Sequence, residues 1–182
     1  MLAVIFAVVV VIVGGVAFFT IRRPEPRFQG DLHTLLLPAP ADNPPTSSLL
    51  IGNPAEKGGG LTEAERRDLG FVQGASTTWV VGSGDGVGTV FINLFQFGSA
   101  SKAAQWVAKF GSGPTQSKAS RGGLAEIPGS KIFALDAINS SGPPTVGFFS
   151  KHDIAAQVTY TSRRLDLSAL SAVMRQQYAR LP

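Results

Sequence analysis

Residues 89–97 read TVFINLFQF, and this stretch decides the fold. Strict alternation sets Phe91, Asn93, Phe95 and Phe97 on one side and Val90, Ile92, Leu94 and Gln96 on the other. Both sides carry bulk, which is the pattern of a strand in the middle of a sheet rather than at its edge. Just upstream, residues 71–81 end in TTWVV, rich in β-branched and aromatic side chains, and read as a second strand. The two are joined by Gly82-Ser83-Gly84-Asp85-Gly86-Val87-Gly88. Phosphate-binding glycine loops follow a strand and open a helix, and their G-x-G-x-x-G spacing fails here because position 87 is Val. A strand follows instead, so the loop reads as a hairpin connection in which glycine supplies the positive φ that tight turns need.

Working outward, residues 62–65 (TEAE) form a capping box, in which Thr62 and Glu65 satisfy each other's free amides. The short helix they open should stop at Gly70 in a left-handed conformation. On the other side, Ser99 caps a helix with the sequence SASKAAQWVAKF. Ala100, Ala103, Ala104, Val107 and Phe110 recur at helical spacing and predict its buried face, with Trp106 flanking the contact and partly exposed. The segment 115–123, TQSKASRGG, is polar and glycine-rich and reads as a mobile loop. Residues 130–137, 145–150 and 154–162 read as three more strands, the last two joined by a turn at Lys151-His152-Asp153. Asp166 caps a closing helix whose buried stripe is Leu167, Leu170, Met174, Tyr178 and Leu181, with Arg175 and Arg180 near the negative end of its dipole. Helix, two strands, helix, three strands, helix, with hairpin-length connections, is an α+β arrangement: a mostly antiparallel sheet of about five strands with helices packed on it.

Residues 61–182 form the globular domain in this reading, of ordinary size for one domain. The chain has no cysteine, so its core must stand without disulfides or thiolate metal sites. Residues 22–60 are a Pro- and Gly-rich linker, stiff where prolines crowd and loose at Gly58-Gly59-Gly60. Within it, residues 31–37 (DLHTLLL) differ: Asp31 can cap a helical turn and three leucines seek burial, so this piece should dock on the domain. His33 beside Asp31 reads as a surface pair.

The chain opens with MLAVIFAVVVVIVGGVAFFTI, residues 1–21, uninterrupted by charge. As a helix it would be about 31 Å long, enough to cross a hydrocarbon core of about 30 Å. It lacks the basic start and small-residue cleavage site of a signal peptide, which favours an uncleaved single-span anchor. Arg22, Arg23 and Arg27 follow it and, under the positive-inside tendency, argue for a cytoplasmic domain. The downstream composition suits an exported domain, and an upstream start supplying a basic region would remove the conflict.

No Gly-x-Ser-x-Gly elbow, metal-ligand cluster or catalytic carboxylate pair is present in the sequence, and no cofactor is implied. The net charge of +4 and pI near 9.8 bias the chain toward anionic surfaces such as phospholipid headgroups. Without aromatic and basic residues interleaved, nucleic-acid binding does not follow. Arg121, Arg163 and Arg164 could form an anion patch.

Leu35-Leu36-Leu37-Pro38-Ala39-Pro40, Phe95-Gln96-Phe97-Gly98-Ser99-Ala100, Ile127-Pro128-Gly129-Ser130 and the terminal Arg175-Gln176-Gln177-Tyr178-Ala179-Arg180-Leu181 resemble segments of poorly characterised, membrane-anchored or exported proteins of actinobacteria. The element order is similar to extracytoplasmic sensor or lipoprotein domains with a PsbP/Mog1-like fold. That resemblance implies an envelope location and brings no catalytic residue. The reading is then a single-pass, membrane-anchored extracytoplasmic binding or accessory module without catalytic activity, partnered by the membrane and a protein in it. The alternatives are a small-molecule enzyme with an unrecognised site and a cytoplasm-facing partner of a membrane complex.

Overall fold

The strand expected at 89–97 is β2, Gly88–Gln96, and it lies inside the sheet, one strand in from its edge. It pairs antiparallel with β1, Gln73–Val81, on one side and with β6, Ile154–Ser162, on the other. The computed structural model describes residues 27–41, 59–82, 87–112, 117–135, 143–163 and 166–182. The anchor expected at 1–21 and Arg164 lie outside them. Among the described residues no helix is long and apolar enough to cross a membrane.

The sheet continues from β6 through β5, Pro144–Lys151, and β4, Lys131–Leu135, to β3, Ser117–Ser120, giving the order β1-β2-β6-β5-β4-β3. All neighbours are antiparallel. β3 falls in the segment expected to be a mobile loop, so the sheet has six strands where about five were expected. Its polar sequence SKAS is what hid it, yet a short, polar, irregularly paired strand is suited to an edge, where it discourages further pairing. Val81 pairs with Gly88, so the glycine-rich stretch does connect a hairpin, and its residues 83–86 lie outside the described set.

Three α-helices among the described residues complete the α+β fold: α1, Glu63–Leu69, α2, Ala100–Phe110, and α3, Leu167–Arg180. Local chemistry sets their ends. The Thr62 hydroxyl accepts from the Glu65 amide at 3.3 Å, the Glu65 carboxylate accepts from the Thr62 amide at 2.8 Å, and Gly70 stops α1 at φ +61°. Ser99 and Asp166 accept from the amides of Lys102 and Ala169 to start α2 and α3.

The sheet buries both faces. One face packs Trp79, Val90, Ile92, Leu94, Phe149, Ile154 and Val158 against α3 through Leu170, Met174 and Leu181. Gly147 lies under Met174, whose side chain occupies the space a Cβ would take between β5 and α3. The other face packs Phe95, Phe97, Phe133, Val146 and Phe148 against α2.

The orientation of α2 corrects the expected stripe. Its buried residues are Ala103, Trp106 and Val107, whereas Ala104 is exposed and Ala100 half-buried. Trp106 is 1% exposed, not partly exposed, with its ring 4.7 Å from Phe95, 4.9 Å from Phe110 and 5.9 Å from Phe148. An indole buries far more apolar area than an alanine methyl, so the helix turns to put Trp106 inside and Ala104 out. In α3 the buried face likewise includes Gln177 beside Leu170 and Met174, with Leu167 and Tyr178 half-buried.

Phe95→Ala and Trp106→Ala should therefore cost similar stability, about 3–5 kcal/mol each. The double variant should lose less than the sum by about 1 kcal/mol, because each ring is the other's packing partner. Urea denaturation of the four proteins checks this; a Trp106→Ala loss below half that of Phe95→Ala would contradict the packing described.

Candidate functional site

Residues 27–41 form a strap across the sheet end where β2 finishes and β6 begins. Asp31 caps a short 3-10 helix, Leu32–Leu35, accepting from the His33 amide at 2.9 Å and meeting its ring Nδ1 at 2.8 Å. Both side chains are more than half exposed, so this is a surface pair. The amide of His33, then its ring, hold the Asp31 carboxyl below the usual aspartate range. What that adds to stability is present at neutral pH and is lost as pH falls through the lowered value. Leu32, on the inner side of the turn, is fully buried in the α3-side core.

The rest of the strap is held by its backbone. Asp153, in the two-residue turn between β5 and β6, is only 2% exposed. His152 before it adopts φ +52°, the left-handed conformation such turns require. The Asp153 carboxylate accepts from the Phe28 amide at 3.3 Å and from Gln96 Nε2 at 2.8 Å. Gln96 Nε2 also donates to the Phe28 carbonyl at 2.6 Å, and its Oε1 accepts from Gln73 Nε2, which reaches the Gly30 carbonyl. Farther along, Gln177 Nε2 donates to the Leu35 carbonyl at 2.9 Å while its Oε1 accepts from the Leu37 amide at 2.8 Å. Arg180 donates to the carbonyls of Thr34 and Leu35. Asp153, Gln96 and Gln177 are buried, and with Gln73 and Arg180 they build the frame.

A different group makes no such bonds. On the α2 side of the sheet the register aligns Ser76, Asn93, Gln157 and Phe148 in one row and Thr78, Phe91, Thr159 and Val146 in the next. Thr78 is tied down, donating to the Val90 carbonyl at 2.9 Å. Phe91, Asn93, Gln157 and Thr159 are half-buried, and the amide side chains of Asn93 and Gln157 have no hydrogen-bond partner among the described residues. Where this face meets the end of α2, Phe110, Leu135, Val146, Phe148 and Gln157 line a cleft of about 330 Å³. Lys109 at its rim is paired with Glu65. An aromatic floor with free amides beside it can hold an uncharged molecule that offers both an apolar patch and hydrogen-bonding groups.

Of the arginines singled out in the sequence, Arg121 and Arg163 stand apart, and Arg164 lies outside the described residues. Arg121 is exposed beside Ile132, three strands from β6, while Arg163 is exposed at the far end of β6. With strands about 4.8 Å apart and about 3.4 Å of rise per residue, the register separates them by roughly 20 Å. Among the described residues no cluster of His, Asp and Glu could hold a metal ion. Sequence reasoning missed Asp153, Gln96 and Gln177. The signal was there for Gln96, which keeps phase with Ile92 and Leu94 on a buried face.

No family model matches the chain, and no curated protein matches it. The extracellular domain of PknH from Mycobacterium tuberculosis is similar at a TM-score of 0.44 and 10% sequence identity, over 65% of this chain and 69% of that one. At that score the likeness adds nothing to the account of the site.

Frame and face should separate on mutation. Asp153→Ala strands the Phe28 amide and the Gln96 amide and should cost about 3 kcal/mol, with Asp153→Asn costing about half as much. Asn93→Ala and Gln157→Ala, which break no hydrogen bond, should stay within about 0.5 kcal/mol of the parent. Chemical denaturation of the four variants checks this, and a Gln157→Ala loss equal to that of Asp153→Ala would make Gln157 part of the frame.

Proposed function

We propose that this chain is a single-pass, membrane-anchored extracytoplasmic binding or accessory module that uses its half-buried sheet face beside α2. The observation that carries the reading is the division of polar groups. Asp153, Gln96, Gln177 and Thr78 are spent on holding strap and sheet, whereas Asn93 and Gln157 stand free next to the floor formed by Phe148 and Val146. A face built this way recognises by shape and hydrogen bonding, with no charge of its own. Its natural occupant is an uncharged segment of a protein in the envelope or membrane, or a neutral small molecule of the same chemistry.

The anchor rests on residues 1–21, whose length and apolar composition suit one crossing. The extracytoplasmic side rests on the resemblance to exported proteins and opposes the pull of Arg22, Arg23 and Arg27. Topology is therefore the property to test. In cells producing the full chain with a C-terminal epitope, protease added outside intact cells or spheroplasts should remove the epitope. Protection until the cells are lysed would place the domain in the cytoplasm and favour a partner on that side.

A further inference from the structure

The hydrogen-bonding groups left unmet around the cleft at the end of α2 define the chemistry of its occupant. Phe110, Leu135, Val146 and Phe148 make most of its wall, and Gln157 adds an uncharged polar side chain. The Lys109 ammonium at the rim is neutralised by Glu65, with which it is paired. Gln157 faces Asn93 across the strands, so the two carboxamides are rooted about 5 Å apart at Cβ. Both are half-buried, and neither makes a hydrogen bond among the described residues. Behind the wall, the Trp106 ring lies 4.9 Å from Phe110 and 5.9 Å from Phe148, and its indole N–H is buried without a partner.

Those groups exclude most ligand classes. An ionic ligand would meet no charge in the cleft lining that is not already paired. A hydrocarbon would cover both carboxamides and strand their donors and acceptors. A sugar carries hydroxyls around its whole rim, and four apolar side chains would strand those instead. What fits is an uncharged molecule with an apolar body and, beside it, a donor and an acceptor together. A carboxamide presents both, and its complement is another amide. An extended peptide repeats that complement along one side at every second residue, about 7 Å at strand rise. Two carboxamides rooted about 5 Å apart can reach that spacing, since Gln157 is one methylene longer than Asn93.

We propose that this face binds an extended, uncharged segment of a partner protein, with one large apolar side chain in the cleft and backbone amides on Gln157 and Asn93. This rests on the binding-module reading above and narrows the occupant from any neutral molecule to a peptide chain. The apolar residue selects by its fit to the cleft. The amide pairs set the register and accept any uncharged neighbours, because every residue except proline carries both backbone groups.

The probe is the capped tripeptide acetyl-Ala-Phe-Ala-amide, added to the isotope-labelled full chain in detergent micelles. NMR follows the side-chain amides of Asn93 and Gln157 and the Trp106 indole N–H. All three signals should shift saturably. Affinity should fall at least about 5-fold for the same peptide N-methylated at its three residues, and by a similar factor in Gln157→Ala, each change removing a net hydrogen bond. Equal binding of the N-methylated peptide would overturn the amide pairing and leave the cleft as a binding site. Shifts produced by methyl β-glucoside and not by the peptide would overturn the peptide while the binding-face reading stands. Signals that move with neither probe, in a chain whose β2 amides stay protected, would overturn both.

Discussion

A carboxylate in a tight turn, removed from water, is what the rest of this structure depends on. Asp153 is nearly inaccessible, and a buried acceptor of this kind is tolerable only when donors are aimed at it. The donors come from far away in sequence: the backbone of Phe28 and the side chain of Gln96. Gln96 returns a second bond to the Phe28 carbonyl and passes a third to Gln73. One small network therefore joins the strap, the β1–β2 pair and the β5–β6 turn. Hydrophobic burial of Leu32 draws the strap onto the sheet, but apolar packing is non-directional. The directional bonds to main-chain groups are what set the strap's register.

How far this could be read beforehand depended on the kind of signal. Helix ends were plain because capping is local chemistry: Thr62 with Glu65, Ser99, Asp166, and Gly70 as a stop. The central strand was plain because both of its faces carry bulk. The rotation of α2 was not, since two overlapping stripes share Ala103, Val107 and Phe110. Only the packing decides between burying Ala104 and burying Trp106. Strand β3 was hidden for the opposite reason, as an edge strand can be polar and short without losing its ladder bonds.

The candidate face was half legible. Its alternation placed Asn93 in line with Phe91 and Phe95, but nothing local told that α2 covers Phe95 and leaves Asn93 half-exposed. Gln157 stands beside Asn93 only because β6 crosses back next to β2, a long-range pairing. The clamp residues were harder still. A glutamine in a helix such as Gln177, or an aspartate in a turn such as Asp153, has the same local sequence whether it meets water or a strap. The resulting molecule divides its polar side chains by place, with those that are buried and paired fixing how the domain is held and Asn93 and Gln157 standing on the half-buried sheet face.

The central claim is that the strap is an integral part of the folded domain, fastened at Phe28. Native-state hydrogen exchange on the full chain in detergent micelles tests it most directly at the Phe28 and Leu37 amides, which donate to Asp153 and Gln177. The account predicts that both exchange at least about 100-fold more slowly than an unstructured chain, equivalent to about 3 kcal/mol of opening free energy. Exchange of both amides at unstructured rates, while the β2 amides stay protected, would contradict it.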